Sequence, residues 1–314
     1  MGIVKAVCVS DVRGVQKQAV DSAVFEVDHG LAGDAHAGSW HRQVSLLSWD
    51  KVEDFRARGA EVDAGAFGEN LLVAGIDFRT LPVGTRFKAG GVVLEMTQIG
   101  KECHTHCQIY HKVGDCIMPR EGVFAKVVQG GTIAVGDEMT VHPAEGPRPY
   151  RAAVVTVSDK GAAGQREDKS GPLLAQMLAE AGFEVIESLM VPDEQKRIET
   201  ELIRLCDGRQ AELVVTTGGT GFAQRDVTPE ATLAVATRNA PGIAEAIRAE
   251  SLKITGRAML SRGASVIRGR SLIINLPGSP KAVKESLDTV LPQLDHGLKM
   301  LLGHDGECAA KPEK

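Results

Sequence analysis

The sequence lacks the features of an exported or membrane-spanning protein. Its first residues, MGIVKAVC, predict a strand, without the basic start and long apolar stretch of a signal peptide. No apolar run reaches the roughly 20 residues that a membrane-spanning helix needs. Six cysteines in 314 residues, with no export signal, argue against a disulfide framework. These absences predict a cytoplasmic protein with reduced thiols.

Several catalytic motifs are also missing. There is no Gly-x-Ser-x-Gly elbow and no GxxxxGK[ST] phosphate loop. In the second half of the chain no cysteine stands beside a histidine, and we expect Cys206 to lie in the core at the end of an amphipathic helix. Acyl transfer through a serine or cysteine is therefore unsupported. The net charge of −5 and the pI of about 6.0 argue against a general nucleic-acid-binding surface.

The chain divides into two halves at a stretch that reads AEGPRP, residues 144–149. Residues 1–147 contain 14 Lys and Arg against 19 Asp and Glu, whereas residues 148–314 contain 22 of each. Seven of the nine histidines and four of the six cysteines precede this stretch. We predict separate domains over 1–147 and 150–314, joined by a linker that ends at about residue 149.

Strands and helices alternate in the second half. We predict strands over 152–157, 184–191, 213–217, 265–267 and 271–276. We predict helices over 170–181, 229–237 and 243–253, another that Asp193 caps and that stops at 207–208, and a last one that Ser279 and Pro280 open. Repeated βα units of this length indicate an α/β fold in three layers, with a mainly parallel sheet that binds ligands beyond the carboxyl ends of its strands.

The first half contains short strands separated by glycines. We predict strands over 5–10, 23–27, 44–48, 69–73, 86–89, 92–97 and 138–141, and one helix over 50–58. This pattern favours a β-rich barrel or sandwich.

The most informative stretch is LVVTTGGTGFAQRDVT, residues 213–228. An apolar strand ends in the glycine loop Gly218, Gly219, Thr220 and Gly221, and a helix start follows. Glycines let backbone N–H groups approach an anion, and the next helix presents its positive end. Asp226, just past the loop, is placed to hold the divalent cation that accompanies such phosphates.

Three further loops follow predicted strands and join this one at the same sheet edge. They contain Ser158 and Asp159, with Asp168, Lys169 and Ser170 nearby; Asp193; and the residues Pro277, Gly278, Ser279 and Lys281. Each alone is better explained by helix capping or a turn. Together, carboxylates and glycine loops at one edge favour a binding site.

Phosphoryl or nucleotidyl transfer suits these residues, because such catalysis consists mostly of positioning and charge neutralisation. A phosphate nucleophile is largely ionised at neutral pH, so the missing histidine base is not needed. In this interpretation Asp193 and Asp226 hold Mg²⁺, the glycine N–H groups cradle phosphate, and Arg225 or Lys281 offsets charge.

The run TTGGTGFAQRDVTPEAT, with VSDKG, VPDEQ, APGIAEAIR, AMLSR and INLPGSPKAVKE in order, closely resembles the MogA/MoaB family of molybdenum-cofactor biosynthesis over about residues 151–303. The resemblance implies a molybdopterin adenylyltransferase that uses Mg-ATP, adenylates the phosphate of molybdopterin and releases pyrophosphate. It places the family's two important aspartates on Asp193 and Asp226, and its nucleotide and pterin loops on 158–159, 218–221 and 277–281. It also implies a homotrimer.

Residues 102–107 read ECHTHC, and His111 and Cys116 follow. This density of thiols and imidazoles is typical of zinc ligands, although the spacing does not match a standard finger. A thiolate for sulfur transfer or for a soft metal is a second interpretation. Buried cysteines with surface histidines are a third, which we weigh equally with function for Cys107 and Cys116. For Cys103 we favour function.

The surroundings of Cys103 resemble the MOSC domain. The matching segments are GDAHAG at 33–38, HRQVSLL at 41–47, GAFGENL at 65–71, PVGT at 82–85 and TQIGKEC at 97–103. The resemblance implies a predominantly β domain whose cysteine, here Cys103, carries sulfur as a persulfide or holds the molybdenum cofactor. The pyridoxal-phosphate domain of a full sulfurase is absent from this sequence.

The leading hypothesis is therefore a two-domain enzyme of molybdenum-cofactor biosynthesis whose substrates are small molecules. The alternative is a non-catalytic carrier of molybdopterin or of the cofactor, or a sulfur-relay protein. The partners that we expect are further copies of the chain and proteins that insert molybdenum or donate sulfur, with no nucleic acid and no membrane. A zinc-stabilised first domain is a second alternative.

Overall fold

A computed structural model describes residues 1–59, 61–101, 110, 116–143 and 148–303 of the chain. The chain forms two compact units, Met1–Pro147 and Arg148–Lys314. Cys103, Cys107 and the linker residues 144–147 lie outside the described residues. No helix in the described ranges is long and apolar enough to cross a membrane.

Strands make up most of the regular secondary structure in the described part of the first unit. Its strands are β1 (Gly2–Val9), β2 (Gln18–Val20), β3 (Ser22–Glu26), β4 (Gly30–Leu31), β5 (Val44–Ser48), β6 (Leu71–Ala74), β7 (Arg86–Ala89), β8 (Val92–Ile99), β9 (Val123–Gln129), β10 (Gly131–Ala134) and β11 (Glu138–His142). Its α-helices are α1 (Trp49–Ala57) and α2 (Met118–Glu121), and a 3₁₀ turn spans Phe78–Thr80.

The larger sheet of this unit closes into a barrel. Its strands run in the order β11-β7-β8-β9-β5-β6-β1, and β1 pairs back onto β11, with Gly2 opposite Met139. Neighbouring strands are antiparallel except β5 and β6. β2 lies beside β1, and β10, β3 and β4 form a separate small sheet. The predicted β-rich fold is confirmed, and of the two forms left open it is the barrel.

The alternation of buried and half-buried residues along β8 shows how the barrel is filled. Val92, Leu94 and Met96 are buried, and the residues between them are half-buried. With period-2 geometry, one face of each strand enters the interior. A second core lies around α1, where Val52 and Phe55 pack against residues of β1, β5 and β6. Cys116 belongs to this second core.

Several strands of the barrel unit were not predicted: β2, β4, β9 and β10. β2 and β4 contain three and two residues, which is too short for a pattern. The strand β9 reads VFAKVVQ, and its first three residues are all buried, so it lacks strict alternation. Conversely, the predicted strand over 69–73 begins only at Leu71. Glu69 instead turns back to accept the N–H groups of Gly65 and Phe67, at 2.7 and 2.9 Å.

A buried polar cluster ties the loops of the barrel unit together. The Asp34 side chain is fully buried, and its Oδ2 accepts from Lys17 Nζ at 2.5 Å and Asn70 Nδ2 at 3.0 Å. The backbone N–H of Ser10 also donates to it, and Oδ1 accepts the N–H of His36. Burial raises the pKa of Asp34, but hydrogen bonds from His36 and Lys17 outweigh it and hold that pKa well below its ordinary value. Asp34, one of the residues of the MOSC resemblance, is therefore a structural centre.

The second unit alternates strands and helices. Its strands are β12 (Arg151–Val157), β13 (Glu184–Val191), β14 (Leu213–Thr217), β15 (Arg238–Asn239), β16 (Ser265–Arg268) and β17 (Ser271–Leu276). Its helices are α3 (Asp159–Ala162), α4 (Ser170–Glu180), α5 (Gln195–Ile203), α6 (Thr228–Ala234), α7 (Pro241–Ile254) and α8 (Pro280–Leu302). A π turn, Arg204–Gly208, extends α5, and a 3₁₀ turn spans Gly256–Leu260.

The sheet of this unit is mixed, in the order β13-β12-β14-β17-β16-β15. The first four strands are parallel, and the two at the edge are antiparallel. β12, β14 and β17 are buried along their length because helices cover both faces. α4, α7 and α8 contribute to the core on one face, and α5 and α6 to the core on the other. The predicted covering of a mainly parallel sheet is thus present, with an antiparallel edge.

Two local predictions need correction. Asp193 does not cap a helix: α5 begins at Gln195, its N-cap is Glu194, and the Asp193 carboxylate is engaged elsewhere. The helix predicted over 229–237 ends at Ala234, and Arg238 then enters the edge strand β15. Cys206, in contrast, is buried as predicted, and burial raises the pKa of its thiol to about 12.

Candidate functional site

A cleft of about 780 Å³ lies at the carboxyl ends of the four parallel strands. Each of these strands is followed by a loop that contributes to its wall, which is the arrangement expected for open α/β sheets. The predicted site residues that line it are Ser158, Asp168, Lys169, Ser170, Asp193, Gly218, Gly219, Asp226, Gly278 and Ser279. Residues from stretches that are far apart in the sequence therefore line one cleft.

The other predicted residues surround the cleft without lining it. Asp159 contacts its wall through Asp193, and Arg225 contacts Asp159. The carbonyl of Pro277 accepts the Thr217 hydroxyl at 2.8 Å. Lys281 lies 3.8 Å from Glu285, and its side chain is 80% exposed. Thr220 and Gly221, also in the glycine loop, are not among the residues that line the cleft.

Asp159 and Asp193 connect the loop after β12 to the loop after β13. The backbone N–H of Asp159 donates to Asp193 Oδ2 at 2.8 Å, and the backbone N–H of Asp193 donates to Asp159 Oδ1 at 2.9 Å. This reciprocal pair connects the end of β12 to the end of β13. It also explains why Asp193 is not a helix cap, since its carboxylate already accepts a hydrogen bond from the neighbouring loop.

Arg225 joins the glycine loop to the same pair. Its Nε and Nη2 donate to the two carboxylate oxygens of Asp159, at 2.9 and 2.7 Å. This bidentate contact lowers the pKa of the Asp159 carboxyl and raises that of Arg225. Both side chains are exposed, so the ion pair adds little to stability. Arg225 was predicted to offset phosphate charge, but here its guanidinium is bound to a carboxylate.

Asp193 lies in an environment that disfavours its charged form. Burial, Asp159 and Asp226 all raise the pKa of Asp193, while hydrogen bonding from Asp159 and the charge of Arg225 oppose the shift. Two of these carboxylates, Asp193 and Asp226, line the cleft, and Asp159 and Arg225 lie beside them. A cation there would relieve the mutual repulsion of the carboxylates.

The turn of the glycine loop excludes any side chain at its first two positions. Gly218 has φ +100°, and a Cβ there would lie 2.3 Å from the carbonyl oxygen of Val157. Gly219 has φ +63°, and its Cβ would lie 2.3 Å from Thr228 Oγ1 and 3.1 Å from Asp193 Oδ1. The backbone of the loop therefore approaches both the neighbouring strand and Asp193 closely.

Gly218→Ala is expected to destabilise the second unit by about 2–3 kcal/mol, because both its positive φ and its contact with a backbone oxygen oppose a side chain. The matched control is Gly182→Ala. Gly182 has φ +88° but open space around the added Cβ, so it carries only the backbone cost of about 1 kcal/mol. Differential scanning calorimetry of the two variants checks this. Equal shifts in Tm would show that the contact with Val157 contributes nothing.

The last turn before α6 holds Asp226. Its Oδ2 accepts the N–H of Ala223 at 2.9 Å, and its own N–H donates to the Ala223 carbonyl at 3.0 Å. A Cβ on Gly221 would lie 2.8 Å from Asp226 Oδ2. One carboxylate oxygen is thus used within the loop, and the side chain contributes to the cleft wall.

Sequence reasoning did not single out Thr156, whose hydroxyl donates to Asp168 Oδ2 at 2.7 Å. Asp168 Oδ1 accepts the N–H groups of Ser170 and Gly171, at 3.0 and 2.9 Å. Asp168 therefore occupies the N-terminus of α4, while the Ser170 hydroxyl reaches the Gly278 carbonyl. Thr156 is hidden within an apolar strand, which left no signal in the sequence.

The cleft has no ready-made metal cage. Within the described ranges, no group of three or more His, Cys, Asp or Glu side chains is arranged to hold a metal ion. Mg²⁺, however, is usually held by one or two carboxylates together with substrate phosphates. Asp193 and Asp226 fit that requirement, since both line the cleft and their carboxylates repel each other.

Both halves of the chain are similar to known protein families. Residues 153–296 match a family described as "Probable molybdopterin binding domain", and residues 33–140 match the MOSC domain. The chain is 44% identical over 153 residues to a molybdopterin adenylyltransferase of Helicobacter pylori, covering 48% of this chain and 87% of that protein. It is 48% identical over 143 residues to one of Escherichia coli, covering 45% and 73%.

Solved structures are similar to about half of this chain. A molybdopterin biosynthesis enzyme MoaB from Thermus thermophilus is 46% identical, covering 49% of this chain and 97% of its own, with a TM-score of 0.47. A molybdopterin biosynthesis protein from Mycobacterium abscessus is 39% identical, with the same two coverages and the same TM-score.

Proposed function

We propose, from the premise that this chain belongs through its second unit to the molybdopterin-binding family of molybdenum-cofactor biosynthesis, that it transfers the adenylyl group of ATP to the phosphate of molybdopterin. The chain is an enzyme of the nucleotidyltransferase class. Pyrophosphate is the second product of the proposed reaction. The relatives' names support this substrate, and the residues of the cleft support the chemistry.

The observation that carries the proposal is the meeting of Asp193 and Asp226, from two different loops, beside the turn of Gly218 and Gly219. Among the described residues that line the cleft there is no histidine. A hydroxyl nucleophile would require a base, whereas a phosphate with a second pKa of about 6 is already an anion at neutral pH. The cleft therefore suits a phosphate as the attacking group.

Asp193 and Asp226 are the residues that would hold Mg²⁺. The ion would neutralise the charge of the ATP phosphates and of the departing pyrophosphate. Ser158, Ser279 and the N–H of Gly219 would provide donors for phosphate oxygens, whereas the N–H of Gly218 already donates to the Leu276 carbonyl at 3.2 Å. Arg225 keeps Asp159 in place, and in doing so holds the loop against which Asp193 is fixed.

The proposal is tested by the release of pyrophosphate from Mg-ATP with purified protein, with and without molybdopterin. We expect release only when molybdopterin is present, its loss on chelation of Mg²⁺, and its recovery on adding Mg²⁺ back. Molybdopterin that is bound tightly, with no release of pyrophosphate under any condition, would establish the alternative, a carrier. A protein that neither binds molybdopterin nor releases pyrophosphate would contradict both the enzyme and the carrier.

For the first unit we propose that Cys103 carries sulfur or holds the cofactor, as the match to the MOSC domain supports. Cys103 lies outside the described residues, so the proposal stands on sequence. A comparison of the pterin and persulfide content of the full chain with that of its Cys103→Ser variant tests it. Equal contents of both would refute it.

We also propose a homotrimer formed through the second unit, which is tested by the molar mass in solution.

A further inference from the structure

Arg262, which is not among the residues that line the cleft, donates hydrogen bonds to the loop that contains Asp226. Arg262 Nε donates to the Gly221 carbonyl at 2.7 Å, and its Nη2 donates to the carbonyl of Asp226 itself. Its Nη1 pairs with the Glu230 carboxylate, on the first turn of α6. A single planar guanidinium thus contacts both ends of the segment 221–226 and the helix that follows.

The backbone of Arg262 also contacts this loop. Its N–H donates to the carbonyl of Thr220 at 2.9 Å. Two residues further on, the N–H of Ala264 donates to Asn275 Oδ1 at 3.1 Å, and the N–H of Asn275 donates to the Ala264 carbonyl at 2.9 Å. The backbone near Arg262 is therefore fixed to the buried strand β17, and Arg262 connects the glycine loop to that strand.

Besides Arg262, the loop is held by the pair of Arg225 with Asp159 and by the N–H of Thr228, which donates to the Gly219 carbonyl at 3.1 Å. Residues 222–225 are exposed, and Phe222 is 68% exposed. Asp226 itself is fixed by its turn with Ala223 and by the contact of its carbonyl with Arg262. Arginine is suited to this task because its five donors form a rigid fork, whereas the ammonium of lysine is a point charge on a flexible stem.

We propose that Arg262 is a positioning residue for the transfer reaction, which acts by fixing the backbone of Asp226 and hence the place of its carboxylate in the cleft. This inference rests on the proposed function. A misplacement of about 1 Å at a reacting centre costs up to 100-fold in rate. Arg262 is conspicuous as the side chain that bonds both ends of the segment 221–226.

The test compares Arg262→Ala and Arg262→Lys with the matched control Arg268→Ala. Arg268 also donates to a carboxylate, that of Asp207, and to a backbone carbonyl, that of Val235, but it lies away from the cleft residues in sequence and contacts. We expect kcat to fall about 10- to 100-fold in Arg262→Ala, less in Arg262→Lys, and to stay at the parent value in Arg268→Ala.

A second measurement separates positioning from stability. In an Asp226→Asn background, adding Arg262→Lys should lower kcat little further, because the group that it positions has lost its charge. Independent losses that multiply, or equal losses in the Arg262 and Arg268 variants, would overturn the inference. A parent protein that releases no pyrophosphate would instead refute the proposed function, so the two failures are distinguishable.

Discussion

Asp226→Asn is expected to lower kcat for pyrophosphate release by about 100- to 1000-fold, which corresponds to about 2.7–4 kcal/mol of lost transition-state stabilisation. The amide oxygen of asparagine can still accept the N–H of Ala223, now at 2.9 Å, so the turn of the loop survives. What disappears is the negative charge of the carboxylate, which we propose binds Mg²⁺. The Tm should therefore change by little while the reaction nearly stops.

The control for this variant is Asp288→Asn. Asp288 lies on the exposed face of α8, where it pairs with Lys284, and it is remote in sequence from the site loops. It should keep the parent's kcat. A titration with Mg²⁺ adds a specific readout, since Asp226→Asn should need a higher concentration for half-maximal activity. A variant as active as its parent would remove Asp226 from the site.

Asp34→Ala is expected to destabilise the barrel unit by about 3–5 kcal/mol. The substitution leaves Lys17, whose side chain is 1% exposed, without its buried counter-charge, and it removes the acceptor of Ser10 and Asn70. The pKa of Asp34 is lower in the folded state than its ordinary value of 3.8. Its stabilisation is therefore complete above that pH and is lost as the pH falls below it.

Urea unfolding at pH 7, followed by tryptophan fluorescence, measures this effect. Both tryptophans of the chain, Trp40 and Trp49, belong to the first unit, so the signal reports on that unit. Asp54→Ala, at an exposed position, is the control and should leave the transition in place. Adding Lys17→Met to Asp34→Ala should recover part of the loss, because it removes the unpaired ammonium. A greater loss in the double variant would contradict this account of the pair.

Much of the second unit could be predicted because its signals are local. Apolar runs bounded by glycine, proline and capping residues located β12, β13, β14 and β17, and the Ser279 cap with Pro280 located the start of α8. The barrel unit was harder. Two of its strands are only two or three residues long, and the closing pair of β1 and β11 joins opposite ends of the unit, a contact that no local pattern contains.

The sequence by itself determined the α/β pattern, the glycine turn and the identity of the side chains that follow each parallel strand. A strand that is buried on both faces must be apolar, and a turn with positive φ selects glycine, so both leave a record in the residues. Which partners those side chains contact depends on the tertiary structure. It turned Asp193 from a helix cap into the partner of Asp159, bound Arg225 to a carboxylate, and placed Arg262 under the loop of Asp226. Such contacts join residues more than 30 positions apart, and their distances are set by the packing of the whole sheet rather than by any neighbouring residue.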